Sequence, residues 1–122
     1  MENKRKKGSE KEHLAAQFLA QKGYAILALN FHYGRSGEVD IIAKAPDRKT
    51  IVFFEVKYRK SRATGFPAEA VNFKKQQTIC RVADFYRVRY KILDDVPCRF
   101  DVIAILGDEI THIENAFEYI VV

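Results

Sequence analysis

The order of elements predicts a mixed α/β domain. A helical stretch, three strands, a second helix and a further strand follow one another as αβββαβ. The central strands are apolar on both faces, as in Ile41-Ile42-Ala43 and Ile51-Val52-Phe53-Phe54. Such strands need cover on each side, so the expectation is a mixed sheet flanked by helices. Length agrees: 122 residues with 48% hydrophobic composition suit one domain that buries roughly two-thirds of its unfolded surface.

Residues 1–9 read as a flexible basic tail, with the domain proper over 10–122. The first helix is expected from about Ser9, an N-cap residue, to Lys22. Its apolar stripe is Leu14, Ala15, Phe18 and Leu19, and Gly23 ends it. Ala25–Asn30 is a short strand. Phe31–Ser36 is a loop containing His32, Gly34 and Arg35. Two strands, Gly37–Ala43 and Ile51–Lys57, form a hairpin around the polar turn Ala45–Lys49. A basic loop, Arg59–Ala70, leads to Asn72, which caps a helix over 73–90. The core stripe of that helix is Ile79, Val82, Ala83, Tyr86 and Tyr90. Arg99–Leu106 is a strand, Gly107-Asp108 a turn, and Glu109–Ile113 and Glu118–Val122 are short terminal strands. No repeat, low-complexity tract or linker is present.

The hairpin carries the chemistry. Alternation places Glu38, Asp40 and Ile42 on one face, and Ile51, Phe53, Glu55 and Lys57 on one face of its partner. If Ile42 pairs with Phe53, Asp40 lies opposite Glu55, with Cβ atoms about 4.5–5.5 Å apart. Two carboxylates at that range repel, and one is expected to take up a proton. A divalent cation removes the conflict, since Mg²⁺ is held by one or two carboxylates plus waters and substrate phosphate. Lys57 is a further ~6.5 Å along the strand, within reach of a phosphate oxygen or a bound water. The spacing also fits an exposed face with a surface ion pair between Lys57 and a carboxylate, and spacing alone does not choose.

Other residues stay open on pattern alone. Lys75 falls inside the apolar stripe of the second helix, so it either points at the sheet or snorkels. Glu12 lies on the rim of the first helix's stripe, and Glu10 further round; either fits an ordinary first-turn acid. Asp101 either supports a site or pairs with Arg99, and the pairing is preferred. Net charge is +5 and unevenly spread: residues 58–91 sum to +7 and residues 92–122 to −6. That asymmetry fits a nucleic-acid face opposite an acidic back, although a charge run is often only a solvated surface. Cys80 and Cys98 form no CxxC or Cys/His cluster, so free thiols in a reducing, cytoplasmic setting are expected. No apolar run reaches membrane-spanning length and no signal peptide is visible.

Gly37-Glu38-Val39-Asp40 followed by Glu55-Val56-Lys57 resembles the PD-(D/E)xK nuclease signature. More closely, the chain resembles the YraN-like bacterial family of predicted endonucleases. The matching stretches include Glu12 with Ala16 and Leu19, Gly23-Tyr24, Asn30, Gly37–Ala43, Phe53–Lys57 with Arg59, Lys75-Gln76, Arg99-Phe100-Asp101 and Asn115-Ala116-Phe117. The resemblance covers nearly all of residues 10–120. It implies a restriction-endonuclease-like αβββαβ core of the Holliday-junction-resolvase type. It implies Mg²⁺ or Mn²⁺ ligands at Asp40, Glu55 and the Val56 carbonyl, Lys57 as the residue that positions the attacking water, and Glu12 as a further acid. It favours Lys75 as a site residue. Lys74, Lys75, Gln76, Arg59, Lys60 and Arg62 are then the expected nucleic-acid contacts, with DNA preferred to RNA. No base-reading constellation is visible, so structure-selective or weakly selective cleavage is expected. Resolvase-like nucleases often pair, which makes a homodimer a candidate, although no dimer surface is legible. A non-catalytic nucleic-acid-binding module or an interaction protein that keeps the fold is the alternative. Three positions depart from the family pattern: Lys11 in place of Gly, Tyr58 in place of Thr, and His32 near a usual Arg.

Overall fold

The computed structural model describes residues 4–60 and 71–121. Its elements are α1 (Lys4–Gln21), β1 (Ala25–Tyr33), β2 (Gly37–Lys44), β3 (Ile51–Arg59), α2 (Phe73–Arg89), β4 (Cys98–Leu106) and β5 (Glu109–Phe117). The five strands form one sheet in the order β1-β2-β3-β4-β5. β3 and β4 run parallel, joined by the crossover through α2, and the other neighbouring pairs are antiparallel. The expected mixed sheet with helices is therefore present, with one strand more than αβββαβ.

Each face of the sheet packs its own core. Beneath α2, Ile42, Phe53 and Phe100 meet Ile79, Val82, Ala83 and Tyr86. Beneath α1, Ile41, Val52, Phe54, Ile103 and Ile105 meet Ala15 and Leu19. Ile42 pairs with Phe53, the pairing on which Asp40 opposite Glu55 was conditional.

Several boundaries differ from expectation. α1 begins at Lys4, so residues 4–9 extend the helix and are not a tail. Four of the six are Lys or Arg, which favour helix, and no Pro interrupts them. β1 continues to Tyr33, because Phe31 meets Tyr86 of α2 edge-to-face and Tyr33 stacks on Phe85. Only Gly34 to Ser36 remain to turn the chain. The expected strand from Glu109 runs on to Phe117 as β5, passing through Asn115 at φ 52°; the second expected terminal strand is absent over residues 118–121. Strict alternation also breaks at Asp40. Val39 and Ile42 both pack under α2, whereas Ile41 packs under α1.

One close approach sets the spacing of α2. Gly37 sits at φ 152°, and a Cβ there would stand 2.3 Å from Thr78 Cγ2. Glycine lets β2 and the first turns of α2 nearly touch.

Candidate active site at the strand fork

The β2–β3 ladder pairs Ile41 with Phe54 and then stops. Beyond that point Asp40 Oδ2 accepts a hydrogen bond from the Val56 N–H at 2.8 Å. A side chain has replaced the next rung, so the strands fork and leave a polar opening between them. Glu12 enters it from α1, Asp40 from β2, Glu55 and Lys57 from β3, and Lys75 from the first turn of α2.

The geometry is close. Lys57 Nζ lies 3.4 Å and Lys75 Nζ 3.7 Å from Glu55 Oε1. Glu55 is only 5% exposed. Its second oxygen, Oε2, is buried and has no hydrogen-bond partner among the described residues. An unmatched buried carboxylate oxygen is costly unless something else occupies it. Asn72 caps α2, accepting from the Lys75 N–H, and so fixes the turn that carries Lys75. The ammonium reaches Glu55, which decides against simple snorkelling.

The acids compete for protons. Burial pushes Glu55 up to about 7, and the Asp40 charge adds to the shift while Lys75 and Lys57 oppose it. Burial likewise raises Glu12 to about 7, again with help from Asp40; hydrogen bonding to Asn30 opposes the rise. Asp40 is raised by burial and by Glu38, against the Val56 N–H, Lys75 and a hydrogen bond from Glu12. Glu12 is thus the partner that keeps a proton and Asp40 the one that accepts it. The folded chain binds more protons than the unfolded chain between the ordinary carboxylate range and about pH 7. Stability held below that range is therefore lost as pH rises through about 7. Glu55→Gln is expected to flatten this decline, so that urea midpoints of variant and wild type converge at low pH and separate in the variant's favour above pH 7. Equal midpoints at pH 8 would contradict the burial argument.

The remaining described candidates lie on the same two elements, at the end of β3 and the start of α2. Lys74 is exposed beside Lys75, and Gln76 donates its side-chain amide to the Val71 carbonyl. Arg59, at the end of β3, donates to the Tyr58 carbonyl, and Lys60 is exposed beyond it. Arg62 lies outside the described residues. Two neighbours were named in the sequence without a role. Asn30, at a positive φ of 51°, steadies Glu12 through a hydrogen bond. Glu38 pairs with His32 at 3.3 Å at the rim. Lys11, next to Glu12, places its ammonium 4.2 Å from the centre of the Tyr58 ring, so two of the departures from the family pattern contact each other.

Asp101 stands apart from the fork. It is fully buried and accepts from Arg99 Nε and Nη2 (2.9 Å each), His112 Nε2 (2.7 Å) and the Asn115 N–H (2.9 Å). Arg99 also donates to the Tyr24 hydroxyl at 2.6 Å. Its role is to tie β4, β5 and the end of α1 together. Cys80 and Cys98 are both free.

As a cation site the fork offers Asp40, Glu55 and the adjacent Val56 peptide. No group of three or more His, Cys, Asp or Glu side chains converges as a ready metal cage among the described residues. Two carboxylates and a backbone oxygen are nevertheless the hard donors Mg²⁺ takes alongside water and phosphate, and the unmatched Glu55 Oε2 fits that donor set. No described helix is long and apolar enough to cross a membrane.

Comparison with known sequences is consistent along the chain. The family model described as "Uncharacterised protein family UPF0102" matches residues 11–105. A UPF0102 protein of Alkaliphilus oremlandii is 50% identical over 118 residues, covering 93% of this chain and 98% of that protein. Others from Lachnoclostridium phytofermentans and Clostridioides difficile are each 43% identical, covering 95% and 94% of this chain and 96% and 99% of theirs. The matched span runs from the residue before Glu12 through the whole fork to β4, and on that basis the chain belongs to the family UPF0102.

Proposed function

We propose that the protein is a divalent-metal-dependent endonuclease of the PD-(D/E)xK type, which hydrolyses phosphodiester bonds in nucleic acid, DNA in preference to RNA. The observation that supports this most is the buried Glu55 carboxylate. One oxygen faces two lysines, the other has no partner, and Asp40 stands across the fork. A surface ion pair does not need that arrangement. The order of the elements around the fork agrees with the core that the sequence resemblance implies.

Asp40 and Glu55 would hold Mg²⁺ or Mn²⁺, with the Val56 carbonyl beside them. Such an ion supplies charge neutralisation at a phosphate and a more acidic water. The protein's own groups do the rest. Lys57 donates to the phosphate oxygens on which negative charge grows during attack. Lys75 holds Glu55 from the other side and adds a second positive charge at the opening. Glu12 keeps its proton and gives Asp40 a hydrogen bond. The Val56 N–H pins that carboxylate. Lys74, Arg59 and Lys60, at the start of α2 and the end of β3, would grip flanking phosphates, which carry no sequence information. Structure-selective or weakly selective cleavage follows.

Calorimetry with Mn²⁺ tests the reading. Wild type is expected to bind the ion with release of protons near pH 7, and Asp40→Ala to lose binding. If Asp40→Ala binds Mn²⁺ as wild type does, the fork is not the metal site. If all forms bind branched or single-stranded DNA and none cleaves it, the chain is a binding module on this fold.

A further inference from the structure

The pole opposite the fork carries a second basic feature. β2 ends and β3 begins there, and α2 delivers its C-terminal end to the same place. A groove of about 630 Å³ runs between the β2–β3 turn and the segment after α2. Lys44, Arg48 and Lys49 line it from one side and Lys91 from the other, with Asp95 as its one acidic lining residue. Arg48, Lys49 and Lys91 are exposed. Among the described residues none of the four cations is within ion-pair distance of a carboxylate. The nearby acid Asp47, itself exposed, is engaged on its own loop, accepting from the Lys49 and Thr50 N–H groups and the Thr50 hydroxyl. Arg48 and Lys91 both adopt positive φ, 63° and 54°. Two tight chain reversals therefore aim unpaired cations at one groove.

This groove is connected to the fork. Between them the outer face of α2 exposes Lys74, Arg81 and Arg89. The acid on that helix, Asp84, accepts the Tyr119 hydroxyl at 2.7 Å. From Lys75 to Arg89 the helix rises about 21 Å, the length of about six nucleotides along a B-form strand.

We propose that the groove is a second phosphate-binding site that holds the distal arm of a duplex whose other end lies at the fork. The proposal rests on the nuclease reading for the identity of the ligand. Charge selects a polyanion. The lining selects a duplex: no aromatic ring lines the groove, whereas single strands are held by bases stacked on aromatic side chains. A duplex shows its phosphates and hides its bases, and cations with aliphatic walls suit it. The substrate class is then nucleic acid with a double-stranded arm of at least about six base pairs beside the cleavage point.

The test compares wild type with the triple variant Arg48→Gln, Lys49→Gln, Lys91→Gln. Glutamine removes the charge and stays polar at these exposed sites, so folding is checked by circular dichroism and not expected to change. Binding is measured against a short hairpin duplex of about 3 base pairs, which cannot span from fork to groove, a long duplex of about 20 base pairs, and a single strand of the longer length, over a salt series. Wild type is expected to bind the long duplex about tenfold more tightly than the short one. The triple variant should lose that gain, with a salt slope shallower by about 0.9 for each lost phosphate contact, while cleavage of the short duplex is unchanged. An unaltered slope and affinity for the long duplex in the triple variant overturns the groove. So does equal wild-type affinity for the long single strand, or no binding of nucleic acid at all. A lost length gain without cleavage by any form supports the groove and refutes the nuclease reading; that separates the two failures.

Discussion

Lys57→Ala is expected to lower the cleavage rate by about 10²–10³-fold while DNA affinity changes little. Lys57 is one of several cations around the opening, so its share of ground-state binding is small. Its ammonium, 3.4 Å from Glu55 Oε1 and 23% exposed, is partly withdrawn from water, where a charge acts more strongly than at the surface. The loss should therefore fall on kcat and leave KM near its wild-type value, the pattern of an interaction made chiefly in the transition state. A secondary effect has a definite sign. Lys57 opposes the rise of the Glu55 carboxyl, so without it Glu55 ionises at still higher pH. The rate–pH profile of the variant should shift to the alkaline side. Single-turnover assays across pH 6–9 read both. Cleavage at the wild-type rate with an unmoved profile would remove Lys57 from the mechanism.

Asp101→Ala is expected to destabilise the fold by about 3–5 kcal/mol, the range for breaking one partner out of a buried ion pair. The carboxylate is fully buried and takes Arg99, His112 and the Asn115 N–H together. Removing it strands a guanidinium, an imidazole and a backbone donor that were already paid for in desolvation. Burial alone would push this carboxyl up, but the hydrogen bonds from His112, Arg99 and Asn115 outweigh burial and hold it below its ordinary value. Its contribution is therefore present above the ordinary carboxylate range and lost as pH falls through the depressed value, the opposite sense to Glu55. Urea unfolding at pH 7 measures the difference. A loss under 1 kcal/mol would mean that the network is solvated in solution.

The two central strands were legible because their apolar runs and the polar turn between them mark a buried hairpin; their register was not, since a slip would only exchange one apolar face for the other, and it is the structure that sets Ile42 opposite Phe53. The fork at Asp40 was not legible. It depends on the Val56 N–H turning to a side chain and on Val39 packing under α2, and neither has a signature in alternating hydrophobicity. Lys75 was ambiguous for a similar reason. Its place in the apolar stripe fits both readings until the packing of α2 brings its ammonium to Glu55. Phe31 and Tyr33 read as loop residues because their strand is fixed by rings on α2, far away in sequence. Asn115 was read past the end of a strand; a left-handed residue that donates to Asp101 instead lets β5 run on.

Gly37 bears on the electrostatics of the fork although it carries no charge and touches no acid. The missing side chain acts as a spacer set to zero thickness. With Thr78 seated against it, the start of α2 is clamped to β2, and the clamp determines how far the ammonium of Lys75 can extend. Any bulk inserted there would act as a wedge between helix and sheet, widening the Lys75–Glu55 gap while every polar residue of the opening stayed in the sequence.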